Sequence, residues 1–293
     1  MQSEYFPSQM PIPADALERP AWTLPVGACD AHMHVFGPPA RYPADAAARY
    51  TCPPASLADY RRVVAVLGLQ RAVFVQPSFY GTDNLCLLDA LAQTPNARGV
   101  VMIGAGVSLA QLSEWHAVGV RGLRVDLFRL AAIGRTLEEI KVEVLAKCEL
   151  AARLGWSVDL YVPGGIACGL ADSFGALPCP LSFAHMGYLG VDQVPDAQCA
   201  AFLDAVESGP VWFKLSGLYR YGPGRGQARA EYLAKQLIAR VPQRLLWGSD
   251  WPHVMDKPQD PGAILNALYQ HCGGDARLLA RILVDNPAML YGW

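Results

Sequence analysis

The chain reads as an α/β protein: a single (β/α)8 barrel of the TIM type preceded by an irregular N-terminal arm. Three observations predict this. Short β-branched or apolar runs alternate eight times with longer segments of helical periodicity, and such alternation builds a parallel sheet. Eight repeats are enough to close that sheet into a barrel; an open sheet of about five to seven strands is the competing architecture. The length of 293 residues suits one barrel, and no linker, low-complexity tract or short-period repeat divides it.

Taken in order, residues 1–24 form the arm, because Pro7, Pro11, Pro13 and Pro20 interrupt any helix there, and the barrel occupies residues 25–293. Strands are expected at Val26–His32, Arg71–Gln76, Gly99–Ile103, Gly119–Val125, Trp156–Val162, Leu181–His185, Val211–Ser216 and Leu245–Asp250. Between and after them, helices are expected at Ala55–Leu69, Asp83–Gln93, Leu109–Val118, Leu137–Leu154, Ile166–Phe174, Asp196–Ser208, Gln227–Val241, Gly262–His271 and Asp275–Val284. Local punctuation supports several of these. Ser108 can cap Leu109 onward, Thr136 and Glu139 have capping-box spacing, and Gly155 stops the helix that ends at Leu154. Gly222-Pro223-Gly224-Arg225-Gly226 lacks the residues of a phosphate loop or a dinucleotide fingerprint and reads as a flexible lid.

Composition narrows the function classes. With 52% hydrophobic and 17% charged residues and a formal net charge of −2, the chain offers no broad attraction to nucleic acid or an anionic membrane. Cysteines 29, 52, 86, 148, 168, 179, 199 and 272 include no C-x-x-C pair, so reduced thiols are expected rather than a zinc knuckle or disulfide scaffold. No basic leader precedes an apolar run and no apolar segment approaches membrane-spanning length, so a cytoplasmic location is expected. The expected partner is a small molecule; the oligomeric state stays open.

Chemistry in such barrels gathers at the C-terminal ends of the strands. There the sequence places His32 and His34, Ser78, Arg124 with Asp126 and Arg129, Asp159 and Tyr161, His185, Lys214 and Arg220, and Ser249, Asp250 and His253. His32 and His34 alternate on one strand, so both rings point the same way, and burying two unpaired imidazoles is costly unless they have a use. Arg124 continues an apolar run, so a buried guanidinium there needs an anionic partner. Ser78 lies in no G-x-S-x-G elbow and no Cys-His arrangement is visible, which favours activated water over a covalent nucleophile. Asp250 is the candidate general base, with His32, His34 and His185 polarising a carbonyl. His116 and His271 fall in helical segments away from strand ends, and whether Lys214 faces the site or packs beneath it is left open.

His32-x-His34, His185-Met186-Gly187, Trp247-Gly248-Ser249-Asp250-Trp251-Pro252-His253 and Asp285-Asn286-Pro287-x-x-Leu290-Tyr291 together resemble the amidohydrolase superfamily. The run from Cys29 to Pro38, followed by Arg41-Tyr42-Pro43, is similar to the branch of 2-pyrone-4,6-dicarboxylate lactonases and related sugar-lactone hydrolases. The resemblance implies that Asp250 activates water, that His32, His34 and His185 hold the lactone carbonyl, and that Tyr50, Ser78, Arg124, Arg129, Tyr161, Arg220 and His253 bind carboxylates. Arg135 is an alternative to Arg129. Three arginines suit a substrate with two carboxylates.

Many members of the superfamily add a strand-5 histidine or a strand-4 carboxylated lysine or glutamate as metal ligands, where this chain has Tyr161 and Arg124. The resemblance therefore implies catalysis without a metal or other cofactor, the alternative being one divalent ion at His32, His34 and Asp250. The implied activity is hydrolysis of a carboxylated lactone, 2-pyrone-4,6-dicarboxylate foremost, in the catabolism of lignin-derived aromatics. A sugar-acid lactonase or lactone isomerase, and a metal-dependent decarboxylase, are the alternatives.

Overall fold

The computed structural model describes residues 9–190 and 194–293; the first eight residues of the expected arm lie outside the described residues. Eight strands form one parallel sheet in sequential order: β1 (Cys29–Met33), β2 (Arg71–Val75), β3 (Ala97–Val101), β4 (Val120–Asp126), β5 (Ser157–Tyr161), β6 (Leu181–Phe183), β7 (Val211–Leu215) and β8 (Leu245–Trp247). Helices separate consecutive strands, and the sheet curls into a barrel whose last seam, between β8 and β1, is sealed just beyond the ladder. There the Asp250 N–H donates to His32 O at 2.8 Å and the His34 N–H donates to Trp251 O at 2.9 Å.

The seam has a buried polar staple. The Asp30 carboxylate accepts from the Ser249 backbone N–H (2.9 Å), the Ser249 hydroxyl (2.5 Å) and the Tyr60 hydroxyl (3.0 Å). Burial pushes this carboxyl up to about 6 even though all these donors favour its charged form. Gly248 is obligatory here, since a Cβ at that position would lie 2.5 Å from the His32 Cβ.

Two apolar layers follow from strand alternation. Cys29, Ala31, Val73, Val75, Val100, Trp212 and Leu246, at alternating positions on their strands, cluster with Leu290 and Tyr291 inside the barrel. The other strand faces, with Phe74, Leu123, Val158 and Phe213 among them, pack outward against the helices. The register of β1 on β2 slips between Asp30 and Met33, so Ala31 joins the inner cluster while His32 and His34 both turn to the mouth.

The expected caps are present. Ser108 accepts from the Gln111 N–H, Thr136 and Glu139 form a reciprocal capping box, and Gly155 ends Leu137–Leu154 at φ 65°. Several boundaries differ from expectation. β6 ends at Phe183 because His185, Met186 and Gly187 turn left-handed. The stretch expected to be a helix over 166–174 is a short helix, Gly164–Gly169, followed by a 3-10 segment, Ala171–Ala176. Leu127–Ala132 and Asn286–Tyr291 are helices that the periodicity missed, both of six residues. Within the glycine-rich stretch expected as a lid, Arg225 and Gly226 already belong to the helix Arg225–Arg240. The segment over the site is its upstream neighbour, the 3-10 turn Leu218–Tyr221.

The described part of the arm is held against the helix Pro261–His271: the Glu18 N–H donates to Asp260, the Ala21 N–H to Asn266, and Trp22 stacks on Tyr269. All eight cysteines are free thiols. No helix of the described residues is long and apolar enough to cross a membrane.

Candidate active site

Asp250 follows β8 with φ 58°, a backbone conformation unfavourable for a residue with a side chain. His185, Met186, Tyr188, His253 and Met255 share positive φ, so unfavourable backbone is concentrated around this mouth, as it is at many functional sites. The conformation turns Asp250 Oδ1 toward three imidazoles: His34 Nε2 at 3.5 Å, His32 Nε2 at 3.6 Å and His185 Nε2 at 3.7 Å. The other oxygen, Oδ2, accepts from the Tyr219 hydroxyl at 2.6 Å and from Nε of Arg220 at 2.8 Å; Nη2 of Arg220 stands 2.8 Å away as an ion-pair contact and donates to Val254 O at 3.2 Å.

Burial by itself would push the Asp250 carboxyl up, but the carboxyl is held well below the usual carboxylate range, with the Arg220 guanidinium as the foremost opposing charge. The imidazoles are held neutral mainly by burial, which lowers His34, takes His185 down to about 3, and with the Lys214 charge lowers His32 well below normal. One carboxylate thus faces three neutral rings.

Each ring is braced from behind. The His34 Nδ1–H donates to Val75 O at 2.8 Å, His185 Nδ1 lies 3.0 Å from the Ser216 hydroxyl, and His32 Nδ1 lies 3.3 Å from Lys214 Nζ. Gly217, at φ 62°, makes room for the His185 ring, since a Cβ there would stand 2.5 Å from Nδ1.

Two connected chambers lead to this group. The inner one, about 20 Å³, is walled by His34, Tyr50, Ser78, Arg124, Tyr161, His185, Arg220, Asp250 and Met255. The outer one, about 290 Å³, shares Tyr50, Ser78, Tyr161 and Met255 and adds Arg49, Asp126, Phe128 and Arg129. Arg124 donates from Nη1 to Gln76 O at 2.8 Å and lies 5.0 Å over the Tyr161 ring, while its buried Nε–H has no partner among the described residues. Tyr50 accepts from the Phe79 N–H at 3.1 Å and lies 3.4 Å from the Ser78 hydroxyl.

The expected residues do not all meet. Asp250, His32, His34, His185, Tyr50, Ser78, Arg124, Tyr161 and Arg220 converge. Arg129 is displaced outward: it sits exposed on the helix Leu127–Ala132 and lines only the outer chamber. Arg135 pairs with Glu139 at 2.9 Å and lines neither chamber. His253 is buried but lines neither chamber, because both its nitrogens are used internally, Nε2 on Ser249 O at 3.0 Å and Nδ1 accepting from the Gln259 N–H at 3.4 Å. Its ring instead packs edge-on to Tyr219, 5.6 Å between centroids, so it supports the turn that touches Asp250.

Sequence reading missed Tyr219, Ser216 and the outer arginine Arg49. The one available signal was their proximity to the strand-7 end and to Tyr50. Lys214, whose position was open, lies beneath the site.

A metal alternative can be tested against these atoms. Ligand atoms of His32, His185 and Asp250 lie within 4.8 Å of one another, so His185 takes the place that His34 has in the expected set. The spacings to Asp250 Oδ1 of 3.6 and 3.7 Å approach the ligand–ligand edge of roughly 3.4 Å around a tetrahedral ion with bonds of about 2.1 Å. The His32 Nε2 is also buried without a hydrogen-bond partner among the described residues. By spacing, this group can hold a divalent ion.

Comparisons with known proteins agree with this architecture. The chain is 34% identical to a 2-pyrone-4,6-dicarboxylate hydrolase of Comamonas testosteroni, covering 93% of this chain and 92% of that protein. It is 31% identical to a 4-sulfomuconolactone hydrolase of Hydrogenophaga intermedia (92% and 90% covered) and 29% identical to a D-galactarolactone isomerase of Agrobacterium fabrum (92% and 92%). Among solved structures, ATU3138 of Agrobacterium tumefaciens superposes with a TM-score of 0.79 at 26% identity, covering 94% of this chain and 98% of that one. A zinc-bound amidohydrolase of Burkholderia multivorans shares the fold, with a TM-score of 0.67 at 19% identity, covering 90% and 98%. The amidohydrolase family model matches residues 29–293, nearly the whole barrel, and the chain belongs to that family.

Proposed function

We propose that the protein hydrolyses a cyclic ester carrying carboxylates, with 2-pyrone-4,6-dicarboxylate as its substrate. The observation that carries this is one buried carboxylate facing three neutral imidazoles, beside a chamber walled by that carboxylate, His34, His185 and the guanidinium groups of Arg124 and Arg220. Arg129 and Arg49 stand at the entrance and outnumber the one acid there, Asp126, so an anionic substrate meets a net positive entrance. The relatives named for pyrone dicarboxylate and sulfomuconolactone hydrolysis support the same class, since both names denote lactones with strongly acidic substituents.

In this reading the substrate enters the outer chamber past Arg129, and one carboxylate draws the Arg220 guanidinium away from Asp250. The inner chamber of about 20 Å³ enlarges as that side chain moves. Asp250 Oδ1 and the bare His34 Nε2 are both acceptors 3.5 Å apart, so a group between them must donate, as a nucleophilic water does. Asp250 takes the proton as the water attacks the lactone carbonyl, and imidazole N–H groups stabilise the oxyanion. Collapse breaks the bond to the ring oxygen, which takes back the proton held by Asp250, and the new carboxylic acid ionises, giving an open-chain acid with one more carboxylate and a regenerated base. Arg124, with Tyr50, Ser78 and Tyr161, orients the ring.

The reaction is proposed to run without a metal. Arg220 already neutralises the carboxylate that would ligate an ion, and Arg124 adds a second cation to the same chamber. A divalent ion at His32, His185 and Asp250 would instead supply a Lewis acid for the carbonyl. The isomerase relative keeps a sugar-lactone reading alive, although the chamber's two arginines favour a more highly charged substrate. The product would belong to the catabolism of lignin-derived aromatics.

The deciding experiment follows ultraviolet loss of 2-pyrone-4,6-dicarboxylate with chelator-treated, metal-analysed enzyme. Rapid turnover without metal is expected. Turnover restored only by zinc would overturn the metal-free mechanism, and turnover of aldonolactones with none of the pyrone would overturn the substrate.

A further inference from the structure

Lys214 has no place in the reaction as described, yet it is a cation with no solvent exposure. It points from β7 into the barrel, is fully buried, and forms an ion pair with the equally buried Asp159 of β5. Ser182 of β6 adds a hydroxyl hydrogen bond to Asp159 at 3.2 Å. Replacing such a buried pair by apolar side chains is often neutral or stabilising, so its contribution to folding is a weak reason for it to exist. Its one contact with the chemistry is the 3.3 Å approach of Lys214 Nζ to Nδ1 of His32.

The polarity of that contact is decided by the groups themselves. An ammonium has three protons and no lone pair, so it donates and His32 Nδ1 accepts. The proton of a neutral ring then resides on Nε2, the atom that faces Asp250 Oδ1 at 3.6 Å and has no hydrogen-bond partner among the described residues. His34 is set the opposite way. Its Nδ1–H donates to Val75 O, which leaves Nε2 bare. Two rings one residue apart, alike in the sequence, therefore present a donor and an acceptor to the same carboxylate oxygen, Asp250 Oδ1.

We propose that the Lys214–Asp159 pair is a positioning element: Lys214 holds the His32 proton on Nε2 and so makes His32 the fixed hydrogen-bond donor to the carbonyl oxygen under attack. This rests on the lactone reading above for the identity of that oxygen, while the placement of the proton stands on the geometry alone. His34 then orients the water, and Lys214 itself touches no reacting atom.

The test uses the whole protein labelled with 15N-histidine, in which six rings give a readable long-range proton–nitrogen spectrum. His32 is assigned by the signal lost in H32N. In the native protein its Nε2 is expected to carry the proton and its Nδ1 to be bare. K214M by itself leaves Asp159 buried without a counterion, so K214M/D159N, which removes both charges at nearly constant volume, is measured beside it. In the double variant His32 should lose its single tautomer, and kcat for the pyrone dicarboxylate should fall about 10²-fold, the effect of losing one oxyanion donor, with KM within about twofold. A His32 proton on Nδ1 in the native protein, or an unchanged tautomer and kcat in the folded double variant, would overturn the proposal. If no lactone is turned over, the lactone reading falls, and the native tautomer still decides whether Lys214 sets the ring.

Discussion

Asp250→Asn isolates the role given to the carboxylate, because it keeps the shape of the side chain and removes its charge and basicity. Losing a general base costs about 10²–10⁴ in rate. Since the amide also loses its charge beside three imidazoles and a cation, the upper part of that range, about 10³–10⁴, is expected, or roughly 4–5.5 kcal/mol of barrier at 1.36 kcal/mol per decade. Removing one partner of a buried pair costs roughly 3–5 kcal/mol of stability. Arg220 keeps 12% side-chain exposure and the Asn carbonyl still accepts, so a loss of about 1–3 kcal/mol is expected. Binding should move the other way. In the native enzyme the Arg220 guanidinium must leave the Asp250 charge, with its 2.8 Å Nε hydrogen bond and its 2.8 Å Nη2 ion-pair contact, before it can hold a substrate carboxylate, and the variant has no such charged competitor. The pyrone should therefore bind to D250N as tightly as to the native enzyme or more so. Stopped-flow turnover, calorimetric binding and urea unfolding separate the three effects. A kcat within tenfold of native would refute the base assignment, and a 100-fold weakening of binding would refute the competition for Arg220.

Two other perturbations follow from the same geometry. Arg124→Lys keeps the charge but loses the planar fork that bonds Gln76 O at 2.8 Å and stacks over Tyr161, so KM for the dicarboxylate should rise about 10–100-fold with a smaller change in kcat; equal KM values would show that Arg124 does not bind substrate. Stability should fall on acidification: burial holds His185 down to about 3 and His253 to about 4, so below pH ~6.5 the unfolded chain binds protons that the native state refuses. Asp30, raised by burial to about 6, works in the opposite direction between pH ~4 and ~6, where the native state keeps a proton that the unfolded chain has lost. Together these three groups give a net loss of roughly 2–3 kcal/mol between pH 7 and pH 5, read as a lower urea midpoint; a flat or rising midpoint would contradict the buried, neutral histidines.

What the sequence by itself determined was whatever local pattern encodes. Strand–helix alternation carried the barrel, because periodicity depends on neighbours a few residues apart, and the caps at Ser108, Thr136 and Gly155 were legible for the same reason. His32, His34, His185 and Asp250 could be named because the ends of barrel strands converge whatever the loops do. Short helices such as Leu127–Ala132 escaped because six residues hold less than two full turns of periodicity, and that helix carried Arg129 out to the entrance.

Only the tertiary structure decided how those residues are used. That Tyr219 and Arg220 close on Asp250, that His253 spends both nitrogens within its own loop, and that Asp30 of β1 staples Ser249 across the seam are contacts between segments far apart in the chain or set by turns with positive φ. The difference between His32 and His34 is of the same kind. Nothing in two histidines one residue apart says which nitrogen holds the proton; the answer comes from a lysine 182 positions away and from the carbonyl of Val75 on the neighbouring strand. Hydrogen-bond direction is set by the partner that folding delivers, and the partner here arrives only when the barrel closes.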